Sequence, residues 1–333
     1  MESRSLCFVM RKNGGERFVR EVLKEEFGLT KRQISRLKFR PGGILLNGKP
    51  CRTNFIVRPG DSVTICLDDP RTENAEKAET DPRDSGIEMT RERLKADPLC
   101  VLYEDEDILI VDKPAGIVVH QGRGHYGDTL SDRVREYLLR EPGCKIHSVG
   151  RLDKDTSGVM VFAKNAFGAQ RLEEERIRGE LRKTYLAAAA GCVGEEGKSF
   201  SLDLPIAKDE TEKNRMKTSE DGLAAETEVS VLCAGPLYSV LLVRIETGRT
   251  HQIRVHLASA GHPLLGDPIY GTGGCQIGEI RLERAALHCL SVRLIQPFTG
   301  RLIAVAAPVP EDMTACFPEA VRKRLERDFR PAG

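Results

Sequence analysis

The chain has 333 residues, 40% hydrophobic and 30% charged, with 51 Lys+Arg against 50 Asp+Glu and a formal net charge of +1. That length suggests two domains, and the composition supports a sizeable core and excludes wholesale disorder. No apolar run approaches the ~20 residues that cross a bilayer, and the start MESRSLCFVMRKNGGERF has neither the apolar stretch nor the cleavage site of a secretory signal, so a soluble, cytoplasmic protein is expected.

Near-neutrality seems to argue against a nucleic-acid partner, but the sum conceals opposed segments. Residues 1–67 carry 14 Lys/Arg and 6 Asp/Glu, whereas residues 68–98 carry 6 and 10. The remainder is mildly acidic, so the neutrality is a cancellation.

In residues 1–67, Phe18, Val19, Val22, Leu23 and Phe27 fall at helical spacing. Thr30 can cap a second helix that carries Ile34 and Leu37. Gly42 to Lys49 reads as a short apolar strand running into Asn47-Gly48, a hairpin signal, and Val57-Arg58-Pro59-Gly60-Asp61 as a turn into the strand Ser62–Cys66. Lys31, Arg32, Arg36, Lys38 and Arg40 cluster on and just after the second helix with no acid among them. An ordinary solvated face would show intermixed signs, so phosphate binding is the better reading.

Residues 68–98 are polar, acidic and contain three prolines, which is linker composition. From Leu99 on, periodic segments resume. Leu109–Val111, Val159–Ala163, Lys183–Ala190 and stretches near 225–232 and 238–245 read as strands. Thr129–Leu139 and Ala166–Ile177 read as helices. Irregular alternation of helices and strands predicts an α+β fold for residues 99–333, with a mixed, mainly antiparallel sheet flanked by helices.

The ten cysteines are scattered without a CxxC pair, and most flank apolar residues, so buried, reduced thiols are expected and no disulfide framework. His251 and His256 are five apart, off the spacing of a shared metal face, and no carboxylate completes a site. Gly271-Thr272-Gly273-Gly274 lacks the Lys-Ser/Thr of a phosphate-binding loop, and no Gly-x-Ser-x-Gly elbow is present. Neither a metal nor a cofactor is expected.

The most informative stretch is Gly150-Arg151-Leu152-Asp153-Lys154-Asp155-Thr156-Ser157-Gly158, a polar loop entering an apolar strand, with Gly158 expected to let the chain turn in. An Asp in such a loop is most often a turn or cap residue. The order of motifs changes that reading. RLDxxTSG before a strand resembles the signature of the RluA family of pseudouridine synthases. Three further segments are similar to that family's motifs in the same order: Asp112-Lys113-Pro114-Ala115-Gly116 ending in Val119-His120; Arg182-Lys183-Thr184-Tyr185-Leu186-Ala187; and Thr247 to Ala258, followed by Gly261-His262-Pro263 and Gly266-Asp267. The resemblance spans residues 100–310. Gly150 departs from it, since many relatives have His immediately before Arg-Leu-Asp. Residues 7–67 separately resemble the small αL-type RNA-binding module of ribosomal proteins and RNA-modifying enzymes, through Arg32–Leu37, Leu46–Lys49 and Val57–Asp61.

These resemblances imply a small α/β RNA-binding module (1–67), an acidic linker (68–98) and a pseudouridine synthase domain (99–333). They imply an isomerase that moves a uracil of structured RNA from an N1 to a C5 linkage. Asp153 matches the essential acid, Arg254 its basic partner, and Tyr185 the residue that stacks on the uracil and is a candidate to take the C5 proton. Arg151 matches a residue that enters the RNA stack where the target is displaced. The implied partner is large-subunit ribosomal RNA or its precursor, bound by a monomer. The competing readings are a transfer-RNA synthase of the same family, a non-catalytic ribosome-assembly factor, and a glycosidase using Asp155 as a second carboxylate.

Overall fold

The computed structural model describes residues 5–67, 98–122, 127–138, 146–212, 214–277 and 280–329. The expected linker lies outside the described residues apart from Pro98, as does Cys144. The described residues fall into two compact units, 5–67 and those from 98 onward.

In the first unit the elements are β1 (Ser5–Val9), β2 (Arg17–Phe18), α1 (Val19–Glu25), α2 (Lys31–Lys38), β3 (Ile44–Leu46), β4 (Lys49–Pro50), β5 (Ile56–Val57) and β6 (Ser62–Cys66). Four strands form an antiparallel sheet in the order β1-β6-β3-β4, and β2 pairs with β5. α1 buries Val19, Val22 and Leu23, one stripe at i, i+3 and i+4 spacing. α2 starts in a capping box: the Thr30 hydroxyl accepts from the Gln33 amide at 3.3 Å, and Gln33 Oε1 accepts from the Thr30 amide at 2.9 Å. Leu37 is the buried residue of α2, so most of its surface faces outward. The β3–β4 reversal puts Asn47 (φ 51°) and Gly48 (φ 76°) in the left-handed region, as the tight hairpin turn of an Asn-Gly pair requires. The Asn47 side chain donates to Asp61 at 2.7 Å and accepts from the Ser62 amide at 2.8 Å, which ties this turn to the Val57–Asp61 turn.

The second unit contains β7 (Cys100–Glu104), β8 (Ile108–Lys113), α3 (Leu130–Tyr137), β9 (His147–Val149), β10 (Ser157–Ala163), α4 (Ala166–Ile177), β11 (Arg182–Ala190), β12 (Ser199–Leu202), β13 (Ile206–Lys208), β14 (Met216–Thr218), β15 (Thr227–Ala234), β16 (Tyr238–Ile245), α5 (Gln252–Ser259), β17 (Cys275–Ile277), β18 (Ile280–Leu282), β19 (Leu287–Ile295), β20 (Leu302–Ala306), α6 (Glu311–Thr314) and α7 (Glu319–Asp328). Ten of these strands make one sheet in the order β12-β15-β16-β11-β19-β10-β8-β7, with β20 beside β19 and β9 beside β10. Every pairing is antiparallel except β10 with β19. The expected α+β architecture is therefore present. One core cluster joins Leu186, Val240 and Leu290 of the sheet to Phe317, Val321 and Leu325 at the C-terminal helices.

Two expectations are corrected. Gly158 does not turn the chain; it lies within β10 at φ +108°, where a Cβ would sit 2.2 Å from the Cys289 carbonyl oxygen. The residue is glycine because the parallel crossing of β10 and β19 leaves no room for a side chain. The cysteines are also less buried than their apolar neighbours suggested: Cys7, Cys100 and Cys192 are exposed, and only Cys289 and Cys316 of the nine described are buried. Small size lets Cys occupy sheet edges and turns without exposing much apolar surface. All nine are free thiols.

Candidate active site

The loop between β9 and β10 presents Asp153. It leaves β9 through Gly150 (φ +73°), a left-handed turn that glycine adopts without strain. Leu152 is buried beneath the loop. Lys113, fully buried at the end of β8, donates to the carbonyls of Pro114 (2.9 Å), Ile117 (2.7 Å) and Lys154 (2.9 Å). The Gly116 amide donates to the same Lys154 carbonyl at 2.9 Å. Burial pushes the Lys113 pKa down to about 8, while Asp155 and Asp153 oppose the shift and the three carbonyls accept its three protons. Next along the loop, the Asp155 carbonyl accepts from Arg284 Nη1 at 3.2 Å, and Arg284 is itself held by two hydrogen bonds to Asp312, of 2.7 and 2.9 Å. Two cations thus grip the backbone just past Asp153 and leave its carboxylate 26% exposed.

Opposite stands Arg254 on α5. This helix is buried from Gln252 to Leu257, so Arg254 is a buried cation rather than the surface helix residue it could otherwise have been. Its Nε and Nη2 donate to the two oxygens of Asp267, each at 2.7 Å, and Asp267 is fully buried. Asp267 also accepts from the amides of Ile269 (2.9 Å) and Tyr270 (3.1 Å). Burial works against the Asp267 charge, yet the Arg254 bonds and these two amides hold its pKa below the ordinary carboxylate range. The remaining nitrogen, Nη1, is 3.8 Å from Asp153 Oδ2. Beneath the guanidinium lies the Tyr270 ring, 5.2 Å from Cζ to centroid. The Tyr270 hydroxyl accepts from the Met216 amide at 2.8 Å and meets His251 Nδ1 at 3.0 Å.

Tyr185 comes from β11, between β16 and β19, and is only 5% exposed. Burial first, then the neighbouring Cys289 and Asp153, push its phenol pKa well above the usual value, so it is protonated at neutral pH. Cys289 pairs with it across the sheet, and burial raises that thiol to about 11.

Arg151, Asp153, Tyr185 and Arg254 line one cleft of about 400 Å³, within the usual range for a ligand site. Arg151 is exposed at its mouth, where Nη2 donates to the Thr250 hydroxyl at 3.4 Å. The structure therefore brings these four sequence candidates together. Lys31, Arg32, Arg36 and Lys38 are exposed on α2 in the other unit, and Arg40 turns inward to donate to the Cys66 carbonyl at 3.3 Å. Sequence reasoning missed Tyr270 and the role of Asp267. The available signal was Arg254 between Ile253 and Val255: a cation on an apolar helix face requires a buried acid elsewhere. Among the described residues, no three His, Cys, Asp or Glu side chains are grouped to share a metal ion. His256 bonds the Thr227 hydroxyl and the Leu204 carbonyl, at 2.9 and 2.8 Å. No helix among the described residues is long and apolar enough to cross a membrane.

Known proteins are similar to this chain over most of its length. Residues 107–259 match the family model described as RNA pseudouridylate synthase. The chain is 36% identical to the uncharacterized RNA pseudouridine synthase YhcT of Bacillus subtilis, over 81% of this chain and 82% of that protein. It is also 36% identical to ribosomal large subunit pseudouridine synthase D of Escherichia coli K12, over 85% and 84% of the two chains. Among solved structures, human RNA pseudouridylate synthase domain containing 1 aligns over 71% of this chain and 97% of its own, at 26% identity and a TM-score of 0.51. Taken with the cleft, these likenesses show that the chain belongs to the RluA family of RNA pseudouridine synthases, isomerases that convert uridine in RNA to pseudouridine.

Proposed function

We propose that Asp153 is the essential acid of this isomerase and that its substrate is large-subunit ribosomal RNA. The observation that carries the first part is the placement of Asp153: a partly exposed carboxylate on a pinned loop, 3.8 Å from an immobilised guanidinium and in the same cleft as Tyr185. In the reaction the C1′–N1 bond of the uridine breaks, the uracil turns, a C1′–C5 bond forms, the C5 proton leaves and N1 takes up a proton. Whether Asp153 adds to the sugar or assists a glycal-type intermediate, an ionised carboxylate beside the ribose is needed.

Tyr185 confines the detached uracil by stacking. Its raised pKa keeps the phenol neutral, which supports this role over that of a phenolate taking the C5 proton. Arg151, exposed at the mouth, suits a residue that fills the gap left in the RNA when the target nucleotide is extruded, a displacement that costs a few kcal/mol. The ribosomal target is supported by the name of the Escherichia coli relative, a ribosomal large subunit pseudouridine synthase, and by the four exposed cations on α2, which suit a structured polyanion.

Carbodiimide mapping of pseudouridines in total RNA, from cells with and without the gene, tests the substrate. The expected result is loss of one or more pseudouridines from large-subunit ribosomal RNA. Loss confined to transfer RNA would overturn the assignment.

A further inference from the structure

The cleft contains a cation that the chemistry above leaves unused. Lys183 precedes Tyr185 by two residues on β11, so both side chains point to the same face of the strand, about 6.5 Å apart along it. Lys183 is half-buried, lines the cleft and has no hydrogen-bond or ion-pair partner among the described residues. The Cys289 thiol near it is uncharged at neutral pH. Burial pushes the Lys183 pKa down, the neighbouring Cys289 opposes that shift, and the positive charge of Arg176, which lines the same cleft, adds to it. A half-buried ammonium with no anionic partner is unfavourable until an anion reaches it.

Arg176, in the last turn of α4, lines the same cleft and has one guanidinium nitrogen to spare. Its Nε and Nη2 are taken by Glu173, at 2.9 and 2.6 Å, which fixes the guanidinium plane and leaves Nη1 directed elsewhere. Nη1 lies near Gly248, 3.7 Å from where a Cβ would sit there, and both residues line the cleft. Arg182 adds a third cation on the same wall, exposed and tied through Nε to the Gly179 carbonyl at 2.8 Å.

We propose that Lys183 and Arg176 form a binding site for one backbone phosphate of the RNA, adjacent to the target uridine. The site lies beside the base-stacking face of Tyr185. An extruded nucleotide brings its flanking phosphates into the cleft with it, so a cation pair on the wall at this position seats the nucleotide at a fixed depth. The inference rests on Tyr185 marking where the base goes, and on nothing about which RNA carries it.

The test uses the full-length protein in an Asp153→Asn background, so that no turnover intrudes, and a transcript of the RNA segment that mapping identifies. Affinity is measured against KCl concentration for Lys183→Met, Arg176→Met, the double variant and Lys183→Arg, each checked by circular dichroism for an unchanged fold. Lys183→Met weakens binding roughly 3–10-fold at 0.15 M salt and reduces the slope of log K against log salt by about 0.7–0.9, the signature of one lost phosphate contact. The double variant reduces the slope by the same amount rather than twice it, because the two cations share one phosphate, and Lys183→Arg retains most of the affinity. A transcript with a single methylphosphonate beside the target uridine binds wild type as weakly as the normal transcript binds Lys183→Met, and the variant loses nothing more on it. An unchanged slope in Lys183→Met, or a doubled loss in the double variant, overturns the proposal. If the base does not stack on Tyr185, Tyr185→Ala made in the protein that retains Asp153 leaves single-turnover rates intact, and that failure is read separately from the salt slopes.

Discussion

Asp267 holds Arg254 by two parallel 2.7 Å hydrogen bonds and in doing so sets which nitrogen Arg254 offers to Asp153. Only Nη1 is left to approach the carboxylate, at 3.8 Å, so the pairing acts through space and not as a direct hydrogen bond. The geometry separates two tasks. Asp267 neutralises and orients a buried cation, and that cation then turns one nitrogen toward the partly exposed Asp153 carboxylate.

A lysine at position 254 retains the charge but not the fork. Arg254→Lys is expected to lower the single-turnover rate about 100-fold, the scale of loss from a misplacement of roughly 1 Å, with RNA affinity much less affected. Asp267→Asn leaves the Arg254 charge buried and uncompensated, and urea denaturation should show a loss of about 3–5 kcal/mol. Equal rate and stability for the two variants and wild type would mean that the triad of charges has no role.

Lys113 is expected to matter for stability first and rate second. Lys113→Met strands the carbonyls of Pro114, Ile117 and Lys154 without a donor, and should cost on the order of 3 kcal/mol in urea denaturation. Because the Lys154 carbonyl adjoins Asp153, the folded fraction of this variant should also turn over more slowly. Lys113→Arg should not rescue it, since a planar fork cannot reach three carbonyls arranged around one ammonium.

A buried imidazole supplies a pH signature. His288 is fully buried, meets the Ser157 hydroxyl at 2.9 Å, and is pushed by burial to a pKa of about 4. Its unfolded value is about 6.5, so between those limits the unfolded chain binds more protons than the folded one. The stability tied to neutral His288 is complete above about pH 6.5 and is lost as pH falls toward 4. Urea midpoints from pH 7 to 4 should therefore fall more steeply in wild type than in His288→Gln.

The salt dependence of RNA binding should be carried in large part by α2. Replacing Arg32, Arg36 and Lys38 together with Gln is expected to reduce the slope of log K against log salt by about 2–3. An unchanged slope would show that this exposed face takes no part in binding.

Much of this molecule is legible in the chain itself, for physical reasons that differ by region. α4 runs from Ala166 to Ile177 as its apolar spacing predicts, with Asn165 accepting from the Gly168 amide at 2.8 Å to start it. Asn47-Gly48 announces its turn because few other pairs tolerate two left-handed residues. Asp153, Tyr185 and Arg254 are recognisable by the order of their motifs, although 101 residues separate the first from the last. What the chain conceals are relationships that only folding creates. Gly158 looks like a turn residue until β19 is placed against it. Asp267 is only the end of a motif until Arg254 is seen to be buried against it. Lys183 passes as a motif lysine until it is found lining the cleft without a hydrogen-bond or ion-pair partner among the described residues.

The central claim is that Asp153 performs the chemistry, and it is tested most directly by Asp153→Asn. The variant keeps shape and hydrogen-bonding capacity but cannot ionise. Pseudouridine formed in the target RNA should be measured under single-turnover conditions with saturating enzyme, alongside the affinity of the variant for the same RNA. The account predicts affinity within a few-fold of wild type and no detectable pseudouridine; retained turnover by the variant would contradict it.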